Sequence, residues 1–356
     1  MSIYWLILVL PVFFGLSRIK FDHNLKNLAI WLFGLFLIIL IGFRHEVGGD
    51  WFRYLESAYG INKGDSFDFL DVSKVSDYGY RLIHWFSINY LNGIYSTNFI
   101  SATLFVFGLS RFSRLMPIPW IALFVSIPFL VIVVSMGYTR QSIAVGFALW
   151  GLVDLINGKT NKLYFSIIVG ALCHYTVVIL IPVGMLYAYR YKTSYKKNTT
   201  YLLIILFISG VYMIFGSVID YMVYYYVTIK YHHSDGAFIR VVMNSLSAII
   251  FFLYRKEFKK KFNDERLWFI FSVISIVLLP IVVFYSTLID RIAIYFIPLQ
   301  LVVLSRIPVL IKSNLNRLIF ILSIVVIYAL SLFVWLNFGN HSTEWLPYRN
   351  MLVSVI

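Results

Sequence analysis

The sequence predicts an all-α polytopic membrane protein, and three observations predict it. Hydrophobic residues make up 60% of the 356, and charged residues only 13%, against roughly 25% in a soluble domain. Mean hydropathy is +0.83. Apolar runs long enough to be membrane helices recur along the whole chain. The single cysteine, Cys173, excludes an intrachain disulfide, and neither a C-x-x-C nor an H-E-x-x-H metal pattern occurs. The net charge of +14 fits basic loops on one side of a membrane better than nucleic acid.

Residues 1–356 read as one integral membrane domain of about 12 transmembrane or re-entrant helices. The first run is 2–17. No Lys or Arg precedes it and no small-residue cleavage site follows, so it reads as a span and not as a signal peptide. Later runs lie at 27–43, 96–110, 118–135, 141–157, 163–173, 175–189, 199–217, 239–254, 267–286, 291–305 and 318–337. A span wants roughly 20 residues, so several of these are short. Residues 78–95 have the pattern of an amphipathic surface helix.

Alternation places both termini outside, with external loops at 44–80 and 218–240 and an external tail at 338–356. The inner side then holds 20 of the 30 Lys and Arg with 5 of the 16 acids, net +15; the outer side keeps 10 bases and 11 acids, net −1. That asymmetry obeys the positive-inside rule. Residues 163–189 decide it. Counted as one long helix, they put 13 bases outside. Read as two short helices meeting at His174, they keep the rule. At about 1.5 Å per residue neither crosses alone, so the pair is expected to be re-entrant, which requires protein or water over the broken backbone.

The chain is organised around Gly42–Tyr54. A run without charge ends there, and three charges and a His follow within seven residues. Gly42, Gly48 and Gly49 permit a sharp turn or close approach. Arg44 can fork a phosphate or carboxylate. His45, Glu46 and Asp50 can accept protons, and Asp50 and Tyr54 share a face if a helix starts here. An interfacial loop anchored by Trp51 is the plain alternative.

Other polar residues fall on the same outer side: Arg140 and Gln141 opening a span, His174, Arg240, and Asp290-Arg291 with Tyr295 one turn on. Seven of the ten outer bases are Arg, against 8 of 20 inside. Lys suffices for topology, whereas planar two-point recognition of oxyanions favours Arg. An anionic ligand on the outer face follows. The bland readings stay open: Arg140 snorkelling to headgroups, Asp290-Arg291 as an ion pair, His174 as a core histidine, and His232-His233 as solvated loop residues.

The motif Phe43-Arg44-x-x-Val47-Gly48-x-Asp50-Trp51-x-x-Tyr54 resembles that of the EpsG family of polysaccharide-assembly membrane proteins. Arg140-Gln141, His174, Asp290-Arg291 with Tyr295, and Trp345-Leu346-Pro347-Tyr348 match in order. The family is similar to the Wzy-type polymerases of O-antigen and exopolysaccharide. The resemblance implies a GT-C-like bundle in the bacterial inner membrane with a periplasmic active face. It implies undecaprenyl-diphosphate-linked oligosaccharide as both donor and acceptor. Membrane lipid is an expected partner, and a chain-length regulator protein is left open; no cofactor, metal or nucleic acid is expected.

Breaking a sugar–diphosphate bond develops charge that Arg forks can stabilise. Arg44, Arg140 and Arg291 are assigned to it, with Arg240 in reserve. Asp50 or His174, then Glu46, would take the acceptor's proton; Tyr54, Gln141, Asp290 and Tyr295 would support. No Asp-x-Asp pair occurs in an external loop, which favours a metal-free displacement. A lipid-linked oligosaccharide flippase and a membrane acyltransferase on the same glycan are the competing readings. No internal repeat supports the first, and the second needs His174 as its acyl-transfer centre.

Overall fold

The computed structural model describes residues 1–16, 22–59, 77–191 and 236–353, together with Gly64, Phe67, Ser234 and scattered positions between 205 and 228. The expected span 199–217, most of the 60–76 stretch, and Arg18, Lys20, Lys192, Lys196, Lys197, His232 and His233 lie outside the described residues.

Apolar sequence folds here into helices because lipid offers no partner for a free backbone N–H or C=O. Four described helices are long and apolar enough to cross a membrane: Asn24–Gly42, Gly93–Arg114, Glu265–Val282 and Asn314–Phe338. The count rises to six if each of two bent pairs is one span. About 12 crossing or re-entrant helices were expected, and one of them, 199–217, falls mostly outside the described residues. Ser2–Leu16, Pro119–Ser135, Thr160–Cys173 and Tyr175–Ala188 are apolar but short, and every residue of Pro119–Ser126 is buried in protein. A short apolar helix can thus be buried by protein as well as by lipid.

In order the helices are α1 (Ser2–Leu16), α2 (His23–Gly42), α3 (Trp51–Tyr59), α4 (Tyr78–Tyr90), α5 (Gly93–Arg114) and α6 (Pro119–Ser126). The last runs on as a π-helix over Ile127–Ser135. Then come α7 (Thr139–Ile156), α8 (Thr160–Cys173), a 3-10 turn at Tyr175–Ile179, and α9 (Leu180–Tyr191). The remainder are α10 (Ala237–Leu253), α11 (Arg255–Lys261), α12 (Glu265–Val282), α13 (Ser286–Ala293), α14 (Pro298–Arg306) and α15 (Asn314–Phe338). Pro128 opens the π-helical stretch; it brings no N–H to the ladder, and wide turns of this kind gather at functional sites.

Small residues set the central packing. A Cβ on Gly108 would meet the carbonyl oxygen of Gly146 at 2.0 Å, and one on Gly146 would meet that of Leu104 at 2.6 Å. The backbones of α5 and α7 therefore touch, as small residues permit in membrane bundles. At one end of this pair Arg111 forks onto Asp154, at 2.9 and 3.1 Å. At the other end Asn98 and Thr139 share the guanidinium of Arg44. Deeper in the bundle, Tyr328 donates to Gln300, Gln300 to Asn244 (2.5 Å), and Asn244 to the Ala293 carbonyl (3.0 Å). This chain of bonds fixes α10, α13, α14 and α15 relative to one another. It also fixes the height of Arg291, two residues before Ala293.

The tail after α15 folds back onto the loop that follows α2. His45 N donates to Arg349 O (3.0 Å), Met351 N to Phe43 O (2.8 Å) and Gly48 N to Glu344 O (2.8 Å). Trp345 is buried; its indole donates to Ile132 O (2.9 Å), and its own carbonyl accepts from Tyr4 (2.7 Å).

Candidate active site at the arginine-rich end

The loop after α2 shows what its glycines are for. Gly48 has φ +108°, and a Cβ there would lie 2.0 Å from the Met136 carbonyl oxygen. A Cβ on Gly137 would strike the Trp345 ring at 2.5 Å. Loop, tail and the break before α7 are thus stacked in backbone contact.

Arg44 is 1% exposed. Its guanidinium donates to Ile41 O (2.6 Å), Val47 O (3.1 Å), Asn98 Oδ1 (3.1 Å) and Thr139 Oγ1 (2.9 Å). Burial lowers its pKa to about 10, which leaves it charged at neutral pH. The expectation that Arg44 holds a diphosphate is corrected: it is buried, and four of its five N–H donors are engaged by the loop and by α5 and α7. Glu46 is likewise corrected as a candidate base. It has φ +52°, pairs with Arg349 of the tail and lies 3.8 Å from His45, so it fastens the tail, which lies as a strap over this loop. Arg240 is not a reserve anion clamp either. It forks onto Asp290, at 2.6 and 2.5 Å, and also bonds Ser234 Oγ (2.9 Å). Asp290 therefore pairs with Arg240 of α10.

What remains comes together around His174. Helix α8 stops at Cys173, and His174 takes an extended conformation (φ −159°, ψ 110°). Against this break packs the start of α4. Gly79 allows it: a Cβ there would meet Leu172 Cβ at 3.0 Å and Cys173 Sγ at 3.1 Å. That approach brings Asp77, 6% exposed and in the left-handed region at φ +63°, next to His174. Asp77 Oδ1 is 3.4 Å from His174 Nδ1, and Asp77 Oδ2 is 2.6 Å from Arg140 Nη1. The Arg140 side chain stays 34% exposed, and its guanidinium lies 5.7 Å from the centre of the Tyr54 ring. His174 is 7% exposed, and its Nε2 is buried without a hydrogen-bond partner among the described residues.

Burial, the largest influence, lowers the His174 pKa; Asp77 opposes this, while Arg291 and Arg140 reinforce it. The imidazole is therefore neutral near pH 7. Arg291, on α13, lies within electrostatic reach of His174. Gln141 Nε2 donates to Arg291 O (3.2 Å), and Thr176 Oγ1 lies 3.0 Å from Tyr295 Oη. These two ties lock α13 to α7 and to the turn after His174. Asp50 stands toward the rim with Tyr54 (3.4 Å) and Arg53 (3.5 Å). Burial, then Asp50, pushes the Tyr54 phenol up to about 12.

Two residues of this end were not legible in advance. Asp77 sits just before a segment that reads only as a surface helix, and nothing local marks it. Tyr138, in the break before α7, is 37% exposed yet within electrostatic reach of Arg240, Asp290, Asp50 and Arg291. It joins the rim to the Arg240–Asp290 pair.

A neutral, unpartnered imidazole nitrogen beside a half-open Arg and a second Arg can take a proton while an anion is held. A model of the EpsG family matches residues 27–350 of the chain. The chain belongs to the EpsG family. EpsG proteins are Wzy-type polysaccharide polymerases, which links this chain to polysaccharide polymerisation in a membrane. The EpsG match takes in the strap up to Asn350, as well as Arg44, Asp77, Arg140, His174 and Arg291. No curated protein and no solved structure matches the chain.

Proposed function

We propose that this protein is a glycosyltransferase that joins undecaprenyl-diphosphate-linked oligosaccharide repeats at the periplasmic face of the bacterial inner membrane. The observation that carries this reading is the meeting of Arg140, Arg291 and neutral His174 at one end of the bundle. The acceptor hydroxyl attacks the donor's anomeric carbon, and its proton passes to His174 Nε2. The bond from that carbon to the diphosphate oxygen breaks, and the electron pair leaves with the undecaprenyl diphosphate. Arg140 and Arg291 stabilise the growing charge, where preorganised donors act most strongly. Direct displacement inverts the anomeric centre. Asp50 orients the acceptor from the rim. The short helices on either side of His174 act as a re-entrant pair, with their broken backbone covered by α4 and α13. No metal is needed for this step.

The test is genetic and chemical together. Replacing Arg140 or Arg291 by Ala in the native host is expected to abolish long polymer while single repeats still reach the surface. Long chains surviving both changes would remove the diphosphate assignment. Lipid-linked repeats accumulating inside the cell in a deletion strain would turn the reading toward translocation.

A further inference from the structure

Among the described residues, Asp77 is the carboxylate that touches both the candidate base and the candidate clamp Arg140. Three facts make its place more than packing. Its backbone is held at φ +63°, a conformation costly for a non-glycine residue and concentrated at functional sites. Its Oδ2 holds Arg140 at 2.6 Å, whereas its Oδ1 lies 3.4 Å from His174 Nδ1 and has no hydrogen-bond partner among the described residues. The far nitrogen, His174 Nε2, is buried and likewise unpartnered among them. A carboxylate beside Nδ1 favours the tautomer with its proton there, so the lone pair falls on Nε2. Catalytic hydrogen bonds are often long before substrate binds and shorten in the reactive complex.

We propose that Asp77 is a shared positioning residue, fixing His174 with its proton on Nδ1 through one oxygen and aiming the Arg140 fork through the other. The inference rests on His174 being the base. It has a consequence for order. Donor diphosphate on Arg140 competes with Asp77 for the guanidinium, and the carboxylate so released turns to His174. The base then gains strength when the donor is in place.

The groups that set the His174 titration are Asp77 from the start of α4, Arg140 from α7, Arg291 and Tyr295 from the α13 segment, and Cys173 and Tyr175 beside it in the chain. Only Asp77 among them carries negative charge at neutral pH. Its removal therefore moves His174 titration to lower pH.

The experiment uses the full chain in native membranes with lipid-linked repeat as substrate, comparing wild type, Asp77→Asn, Asp77→Glu, Arg140→Ala and His174→Gln. For Asp77→Asn the expectation is kcat lower by about 10–100-fold, as for loss of an orienting carboxylate. KM should change by less than about threefold, and the acid limb of kcat/KM should lie at lower pH. Asp77→Glu keeps the charge, so its acid limb stays near the wild-type position while kcat falls. An unshifted limb in Asp77→Asn overturns the proposal; if that protein does not accumulate, a limb shifted in Asp77→Glu does so. Activity retained by His174→Gln and Arg140→Ala would instead overturn the polymerase reading itself. Inactivity of both with an unmoved Asp77→Asn profile removes only the shared role of Asp77.

Discussion

The two ends of the bundle both pair an arginine with a buried aspartate, and they do it differently. At the basic end Arg306 forks onto both oxygens of Asp264, at 2.6 and 2.8 Å, and Trp268 adds a third donor at 2.8 Å. Those side chains are 4% and 5% exposed. At the other end Asp77 gives Arg140 one oxygen and turns the other to a neutral imidazole, and Arg140 is a third exposed. The first arrangement is closed to solvent: both oxygens of Asp264 are engaged and both side chains are buried, although Arg306 Nε has no hydrogen-bond partner among the described residues. The second is open on two sides, at Arg140 and at His174 Nε2. Similar residue pairs therefore serve anchoring at one end and chemistry at the other. The difference is in access and in the carboxylate: Arg306 is sealed in and both oxygens of Asp264 are bonded, whereas Arg140 is a third exposed and Asp77 Oδ1 has no hydrogen-bond partner among the described residues.

Breaking the comparison at its open end should have the largest effect. His174→Gln is expected to lower glycosyl transfer by roughly 10²–10⁴-fold, with membrane protein level unchanged; polymer length on gels and immunoblots of the same membranes check both parts. Asp264→Asn at the closed end should do the reverse. Leaving Arg306 buried with a weakened partner is expected to cost about 3–5 kcal/mol, read as a lower melting temperature in detergent, while turnover per folded molecule holds. Equal losses of turnover from the two changes would erase the distinction between the ends.

Arg44→Ala tests whether the loop arginine sides with anchoring. It should reduce folded protein, because Asn98, Thr139 and two carbonyls lose a charged donor, at about 1–3 kcal/mol for each buried group left unsatisfied. Surviving molecules should keep the wild-type KM for donor; a raised KM with normal stability would restore Arg44 to the diphosphate site.

Acidity sharpens the contrast further. The folded-state pKa of His174 is lowered, so as pH falls the unfolded chain takes up this proton first, from about pH 6.5. Stability from this site is therefore present above that value and declines below it. The prediction is a melting temperature that falls less steeply with acid in His174→Gln than in wild type. The smallest effect is expected at the strap: Arg349 and Glu46 are 51% and 37% exposed, and an exposed pair is worth about 0–1 kcal/mol. Arg349→Ala should barely move the melting curve.

Several features were legible without coordinates because they are local sums. The membrane class follows from hydropathy over windows of residues. The gathering of Arg140, His174 and Arg291 at one end follows from counting alternate runs. Roles were not legible. Arg44 looked like one of three anion ligands because it heads a glycine-rich polar loop, yet Asn98 and Thr139, 54 and 95 residues away, both accept from its Nη2. Asp290 was read as supporting the site beside Arg291, and the fold pairs it with Arg240, 50 residues back. Asp77 was passed over because Arg140, its ion-pair partner, lies 63 residues on.

By itself, then, the sequence determined an apolar helical protein with arginines at the ends of its apolar runs, because burial in lipid or protein is set by local composition. Only the tertiary structure decided which of those arginines has donors left for a ligand. Hydrogen-bond capacity is finite, and whether it is spent depends on neighbours that folding brings from distant parts of the chain.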